Sequence, residues 1–224
     1  MRDRSAPARI GVVLYEYVEP IDVGGTVGVV SMAKRILPNL SSVVIARRAG
    51  PVRLAGDLTV EAHHGVADAP DCDVHIVCGG PGWPQASRDG ELVAYLKRQA
   101  PERLASVCTG ALVLASSGAL DGRAITTRRN KAGAETDAPI DLLADMAKDS
   151  RVVTAAIVED VVVTGGGVSL AIDATLYLIG KLYGSEARDE VARLVEYDRA
   201  YAANRDGLGH MTSFGDGRQP VGAA

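Results

Sequence analysis

The residue with the most chemistry to offer is Cys108, inside Arg103-Leu104-Ala105-Ser106-Val107-Cys108-Thr109-Gly110-Ala111-Leu112. A short apolar run ends in the cysteine, and small residues able to open a helix follow at once. The pattern predicts a strand that turns sharply into a helix with Cys108 at the corner, a geometry that exposes a nucleophile over the end of a sheet. The helix start would favour thiolate over thiol through its unpaired N–H groups and positive dipole end. Asp22 follows the first apolar run of the chain, and a carboxylate beside a cysteine can hold, orient and shuttle its proton. Gly79-Gly80 follows another such run. There, backbone N–H groups could approach a developing oxyanion together with the Thr109 N–H. Plainer readings stand beside these. A cysteine is often a small buried hydrophobe, an aspartate before a helix is often its N-cap, and Gly79-Gly80-Pro81-Gly82 is first of all a turn.

The histidines narrow the chemistry. A cysteine–histidine pair needs one of His63, His64, His75 or His210. The first two fall in an expected hairpin, the third within or just before a strand, and the last beyond the periodic part of the chain. None follows Cys108 within the expected folded body, so the expected base is a carboxylate.

The elements must bring these turns together. Ile10 to Tyr15, Ser42 to Ala46 and His75 to Cys78 are continuous apolar runs that predict strands buried on both faces. Helices are expected from about Asp22 to Leu37, Glu91 to Ala100, Cys108 to Ser117, Ile140 to Met146, after Gly167 through Leu182, and from Ser185 to about Ala200. A hairpin is expected around Gly56-Asp57, and Val152–Thr154 is expected to pair with Val161–Val163 around Glu159-Asp160. Strand and helix thus alternate, which predicts a single α/β domain: a mostly parallel, flavodoxin-like sheet with helices on both faces and sites at the C-terminal strand ends. Residues 1–200 would form that domain and residues 201–224, rich in glycine, a flexible tail.

Composition excludes several classes. The 224 residues carry a net charge of −4 and no basic run that would grip phosphates, so nucleic acid is not an expected partner. No apolar segment reaches the length that spans a membrane, and the first apolar run stops at Glu16, too soon for a secretion signal. Three cysteines do not make a disulfide framework. The expectation is a cytoplasmic protein without a metal or other cofactor, acting on a small molecule.

At these residues the chain resembles the ThiJ/PfpI superfamily, with its class I glutamine amidotransferase-like fold, and within it the isonitrile hydratase (cyclohexyl-isocyanide hydratase) branch. The resemblance is carried by Ile10–Tyr15 with Ile21-Asp22-Val23-Gly24-Gly25, by Gly79–Gly82, by Ser106–Leu114, by Gly118–Thr127, by Thr164–Gly167 with Ala171–Ala174, and by Glu196-Tyr197. It implies Cys108 as nucleophile, forming a thioimidate with an isocyanide, and Asp22 as general acid/base. Thr109 would fix the cysteine turn, and Gly80 and Thr109 would supply backbone donors. It also implies a pocket bordered by Arg128 and Arg129, and a homodimer. Gly79 is expected at that pocket too, and Trp83, which follows the glycine turn, either walls it or simply packs. Arg128-Arg129 stand where the family usually has histidine-tryptophan, so they could select an anionic substrate or be a solvated pair. Cys78 replaces a usual proline and could act as a resolving thiol or simply fill a strand end. Asp173, inside an apolar helix, is expected to be paired. The alternatives left open are another cysteine hydrolase of the superfamily, amidase, peptidase or glyoxalase-like, and a non-catalytic redox or ligand sensor.

Overall fold

The computed structural model describes residues 2–212. In chain order the elements are β1 (Ala8–Val13), α1 (Pro20–Ala33), β2 (Leu40–Ala46), β3 (Gly50–Arg53), β4 (Thr59–Ala62), β5 (His64–Gly65), β6 (Val74–Val77), α2 (Trp83–Ala86), α3 (Gly90–Lys97) and β7 (Leu104–Ser106). There follow α4 (Gly110–Ala115), β8 (Ala124–Ile125), α5 (Pro139–Met146), β9 (Arg151–Val152), β10 (Ile157–Asp160), β11 (Val162–Gly165), α6 (Ala171–Tyr183), α7 (Ser185–Leu194), α8 (Asp198–Leu208) and β12 (His210–Met211).

Eight strands make one sheet in the order β12-β10-β11-β7-β6-β1-β2-β5. Every pairing in it is parallel except β10 with β11. The apolar runs fill its centre: Ile10, Val12, Val13, Ile76, Val77 and Ala105 are fully buried, as strands covered on both faces require. Helices α1, α6 and α7 pack together, and α4 packs with α2, α3 and α5.

The chain leaves β1 toward β2 but leaves β6 in the opposite direction, toward β7. Right-handed crossovers then place α1 and α3 on opposite faces and open a crevice between the carboxyl ends of β1 and β6. Tyr15 and Asp22 follow β1, Gly79 and Gly80 follow β6, and Cys108 follows the adjacent β7. The topology thus delivers the predicted turns to one sheet edge.

Three expectations are corrected. Val152 pairs with Ile125 in a separate parallel ribbon, and the antiparallel partner of β11 is β10, turning at Val161 rather than at Glu159-Asp160. The isolated residue Val161 takes a left-handed φ of 65°, a turn signal that a valine hides. The supposed tail starts too early: residues 201–208 complete α8, and His210-Met211 pair with β10 at the sheet edge. Tyr201 and His210 anchor this segment, both buried. Residues 213–224 of that tail lie outside the described residues. Finally, the helix after Cys108 is a six-residue turn-and-a-half, Gly110–Ala115, rather than one reaching Ser117. Among the described residues no helix is long and apolar enough to cross a membrane.

Candidate active site

Cys108 sits at the predicted corner with φ 52°, a conformation that costs a non-glycine residue about 1–3 kcal/mol and must be held by its surroundings. Both of its backbone groups are held. Its N–H donates to Gly166 O at 2.9 Å, and its carbonyl accepts from Thr127 Oγ1 at 2.6 Å. The Thr164–Gly167 and Thr126-Thr127 stretches, given no role in the sequence reading, are therefore the braces of the elbow. The small residues Gly166 and Gly167 beside a strand end were the available signal.

Asp22 lies in the first turn of α1, fully buried. It is not the N-cap, a position occupied by Glu19 without a side-chain cap bond. Its Oδ2 accepts from the Gly79 N–H at 2.7 Å, which ties the turn after β1 to the turn after β6. The same Gly79 packs on the elbow so closely that a Cβ there would stand 2.8 Å from Cys108 Cβ. Burial pushes the Asp22 carboxyl up to about 7, against the lowering influence of the Gly79 N–H and, after a small push from Glu19, of the Cys108 thiol. Oδ1 has no hydrogen-bond partner of ordinary geometry.

The thiol itself differs from expectation in two ways. Cys108 is only 3% exposed, because the Gly79–Gly80 turn closes over the corner that would otherwise present it. Burial, followed by the Asp22 charge, pushes its pKa up to about 12, while the Thr109 N–H and the more distant Arg128 pull the other way. The short helix cannot outweigh desolvation, so the resting state is a thiol beside a half-ionised carboxyl rather than a thiolate.

Of the two expected oxyanion donors, Gly80 is already engaged. The Gly80 N–H donates to Thr109 Oγ1 at 2.8 Å, the Gly79 N–H to Asp22, and the Gly110 N–H to Val107 O at 2.9 Å. The Thr109 N–H is directed at the thiol. Thr109 does fix the cysteine turn, through its hydroxyl, but Gly80 is not a free donor.

No histidine joins the pair. His63 Nδ1 accepts from the Val44 N–H, His64 faces Asp68, His75 Nδ1 meets Tyr95 Oη at 2.9 Å, and His210 is on β12, separated from β7 by two strands. Among the described residues no group of three His, Cys, Asp or Glu side chains could hold a metal ion.

The elbow, the acid from the first helix and the glycine turn match a family description over most of the fold, residues 8–163, that of DJ-1/PfpI. The chain belongs to the DJ-1/PfpI family. Among its curated relatives, the isonitrile hydratase of Pseudomonas putida is 30% identical over 191 residues, covering 84% of this chain and 78% of that protein. The HTH-type transcriptional regulator GbdR of Pseudomonas aeruginosa is 31% identical over 144 residues, 63% of this chain but 37% of the regulator. In fold the chain is similar to a ThiJ/PfpI family protein from Pseudomonas syringae, with a TM-score of 0.74 at 23% identity over 87% of this chain and 76% of that one.

Beside the DJ-1/PfpI elbow lies a cleft of about 400 Å³ whose lining includes Thr127 and Gly166, the two braces, together with Arg128, Arg129, Lys131 and Asn204. Arg128 is mostly buried and ion-paired with Glu135, so it is not the free cation expected. Arg129 is exposed, and among the described residues neither Arg129 nor Lys131 forms an ion pair. Trp83, expected in the pocket wall, opens α2 half-buried against the core and is absent from the lining of this cleft. Cys78 is fully buried, and its thiol is held high by burial first and the Asp22 charge second. Asp173 is paired as expected, accepting from Tyr197 Oη at 2.9 Å and Asn204 Nδ2 at 3.2 Å. This bond set joins α6 to α8.

Proposed function

We propose that the protein is a cysteine-dependent hydratase of isocyanides, converting R–N≡C and water to the N-formamide. The observation that carries this reading is the buried Cys108–Asp22 pair, set beside a Gly79–Gly80 turn whose two N–H groups are both engaged. Acyl-transfer chemistry on an amide or peptide needs a set of free donors for an oxyanion. At this corner the Gly79, Gly80 and Gly110 N–H groups are all taken, leaving the Thr109 N–H that faces the thiol. Addition to an isocyanide carbon develops no oxyanion. The isocyanide head is a two-atom rod, suited to reach a thiol that is 3% exposed, whereas a planar amide is not.

The steps use the two side chains only. Asp22, half-ionised near pH 7, takes the thiol proton as sulfur bonds to the terminal carbon, then returns that proton to the same carbon. The product is the thioimidate R–N=CH–S–Cys108. Water then adds to this carbon with Asp22 as base. The C–S bond breaks, and the two protons of water end on nitrogen and on sulfur, leaving R–NH–CHO and the free thiol. The R group would extend into the cleft beside Thr127 and Gly166, where Arg129 and Lys131 favour a carboxylate-bearing substituent. The test is incubation with cyclohexyl isocyanide and a carboxylated analogue: N-formamide is expected, with none from Cys108→Ala. Absence of product from every isocyanide tried would remove the reading.

A second reading, a non-catalytic ligand sensor, is favoured by the low exposure of Cys108; the same burial and protonated thiol weigh against a peroxide sensor. Saturable isocyanide binding without turnover of any isocyanide would support the ligand-sensor reading.

A further inference from the structure

Tyr15, two residues past the end of β1, carries a buried hydroxyl that the chemistry above leaves unused. The residue is 7% exposed, and its Oη is inaccessible and lacks a hydrogen-bond partner of ordinary geometry. Buried polar groups in folded proteins are almost always satisfied, so an orphan needs a reason. The surroundings suggest one. Tyr15 lies just beyond β1, the strand next to β6, at the edge where the Cys78–Gly80 turn and the Cys108 elbow meet. Its ring packs under Gly82, where a Cβ would come within 3.3 Å of it. Burial first, then the charges of Asp22 and Cys108, hold the phenol well above its usual range, and the Thr109 hydroxyl lies beside it. The phenol therefore stays protonated at any working pH and has a proton to donate.

Two acceptors compete for that proton. Thr109 Oγ1 already accepts from the Gly80 N–H at 2.8 Å and donates its own proton to the Gly80 carbonyl at 3.3 Å, and no bond of ordinary geometry joins it to Tyr15 Oη. The other acceptor is absent until a substrate enters. We propose that Tyr15 Oη is a catalytic hydrogen-bond donor to the substrate nitrogen, completed only when the thioimidate forms on Cys108. The proposal rests on the hydration reading and deepens it. As water adds to the thioimidate carbon, the C=N π pair moves onto nitrogen, and a donor there stabilises the developing charge in a water-poor site. Tyr15 keeps its own proton throughout. The first step, sulfur–carbon bond formation, needs it less than the second.

The experiment compares wild type with Tyr15→Phe, using cyclohexyl isocyanide, by formamide release, intact-mass spectrometry and thermal melting. The expected variant turns over about ten- to a hundredfold more slowly, accumulates a Cys108 adduct of one added isocyanide mass, and melts no lower than wild type because an unsatisfied hydroxyl has gone. Equal turnover with no adduct would overturn the role while leaving hydration intact. A clearly lowered melting point with unchanged turnover would make the hydroxyl a structural partner of Thr109 and overturn it too. A wild type that forms neither adduct nor formamide overturns the hydration reading itself, and this inference with it.

Discussion

The Gly80 N–H donates to Thr109 Oγ1 at 2.8 Å, and the Gly80 carbonyl lies 3.3 Å from the same oxygen. One hydroxyl therefore locks the turn after β6 to the elbow after β7 from both sides. The bond takes up a donor that acyl-transfer chemistry would need free, and it explains why a threonine follows the cysteine.

Thr109→Val is expected to leave the buried Gly80 N–H without an acceptor and to destabilise the fold by about 1–3 kcal/mol, whereas Thr109→Ser keeps the bond. Chemical denaturation of the two variants checks this. Equal stability of Val and Ser variants would show the bond to be dispensable.

The Asp22 carboxyl sets a pH window. Its folded value of about 7 lies above the ordinary 3.8, so between these values the folded state binds more protons than the unfolded one. Stability therefore falls as pH rises from about 4 to about 7 and stays reduced above. Asp173, raised to about 6 by burial, adds in the same sense. Asp22→Asn removes the larger contribution, with an upper bound of about 4 kcal/mol. Its melting point should exceed wild type at pH 8 and converge with it at pH 4. The substitution should also abolish formamide production, and in wild type kcat/KM should climb as pH rises through about 7, as the base ionises.

Among the described residues, Arg129 and Lys131 are the cations of the cleft beside the elbow that form no ion pair. Replacing both by alanine should raise KM for a carboxylate-bearing isocyanide about two- to tenfold and leave that for cyclohexyl isocyanide unchanged. The difference should shrink in high salt. An equal change for both substrates would mean the cleft does not read charge.

Gly110 follows the elbow so tightly that a Cβ there would strike the Val77 carbonyl and come within 3.0 Å of the Cys78 carbonyl carbon. Gly110→Ala must push β6 and β7 apart, at a cost of about 1–3 kcal/mol or more. A melting curve coincident with wild type would contradict this close approach.

The sequence by itself determined the architecture and the principal pair. Apolar runs such as Ile10–Tyr15 and His75–Cys78 have only one way to be buried, as central strands. Their alternation with helices puts the turns that follow them on one edge, so Cys108, Asp22 and Gly79 were placed by pattern alone. What only the tertiary structure decided is the state of those groups. Exposure, pKa and hydrogen-bond occupancy depend on what packs from elsewhere in the chain: the Gly79 turn closing over Cys108, Thr127 and Gly166 bracing it, Thr109 taking the Gly80 N–H, Glu135 pairing with Arg128. The edge strand at His210 escaped the sequence for a related reason. A two-residue strand carries no periodicity, and its order comes from β10 and from Tyr177 and Tyr201 packed against its ring, not from its own residues.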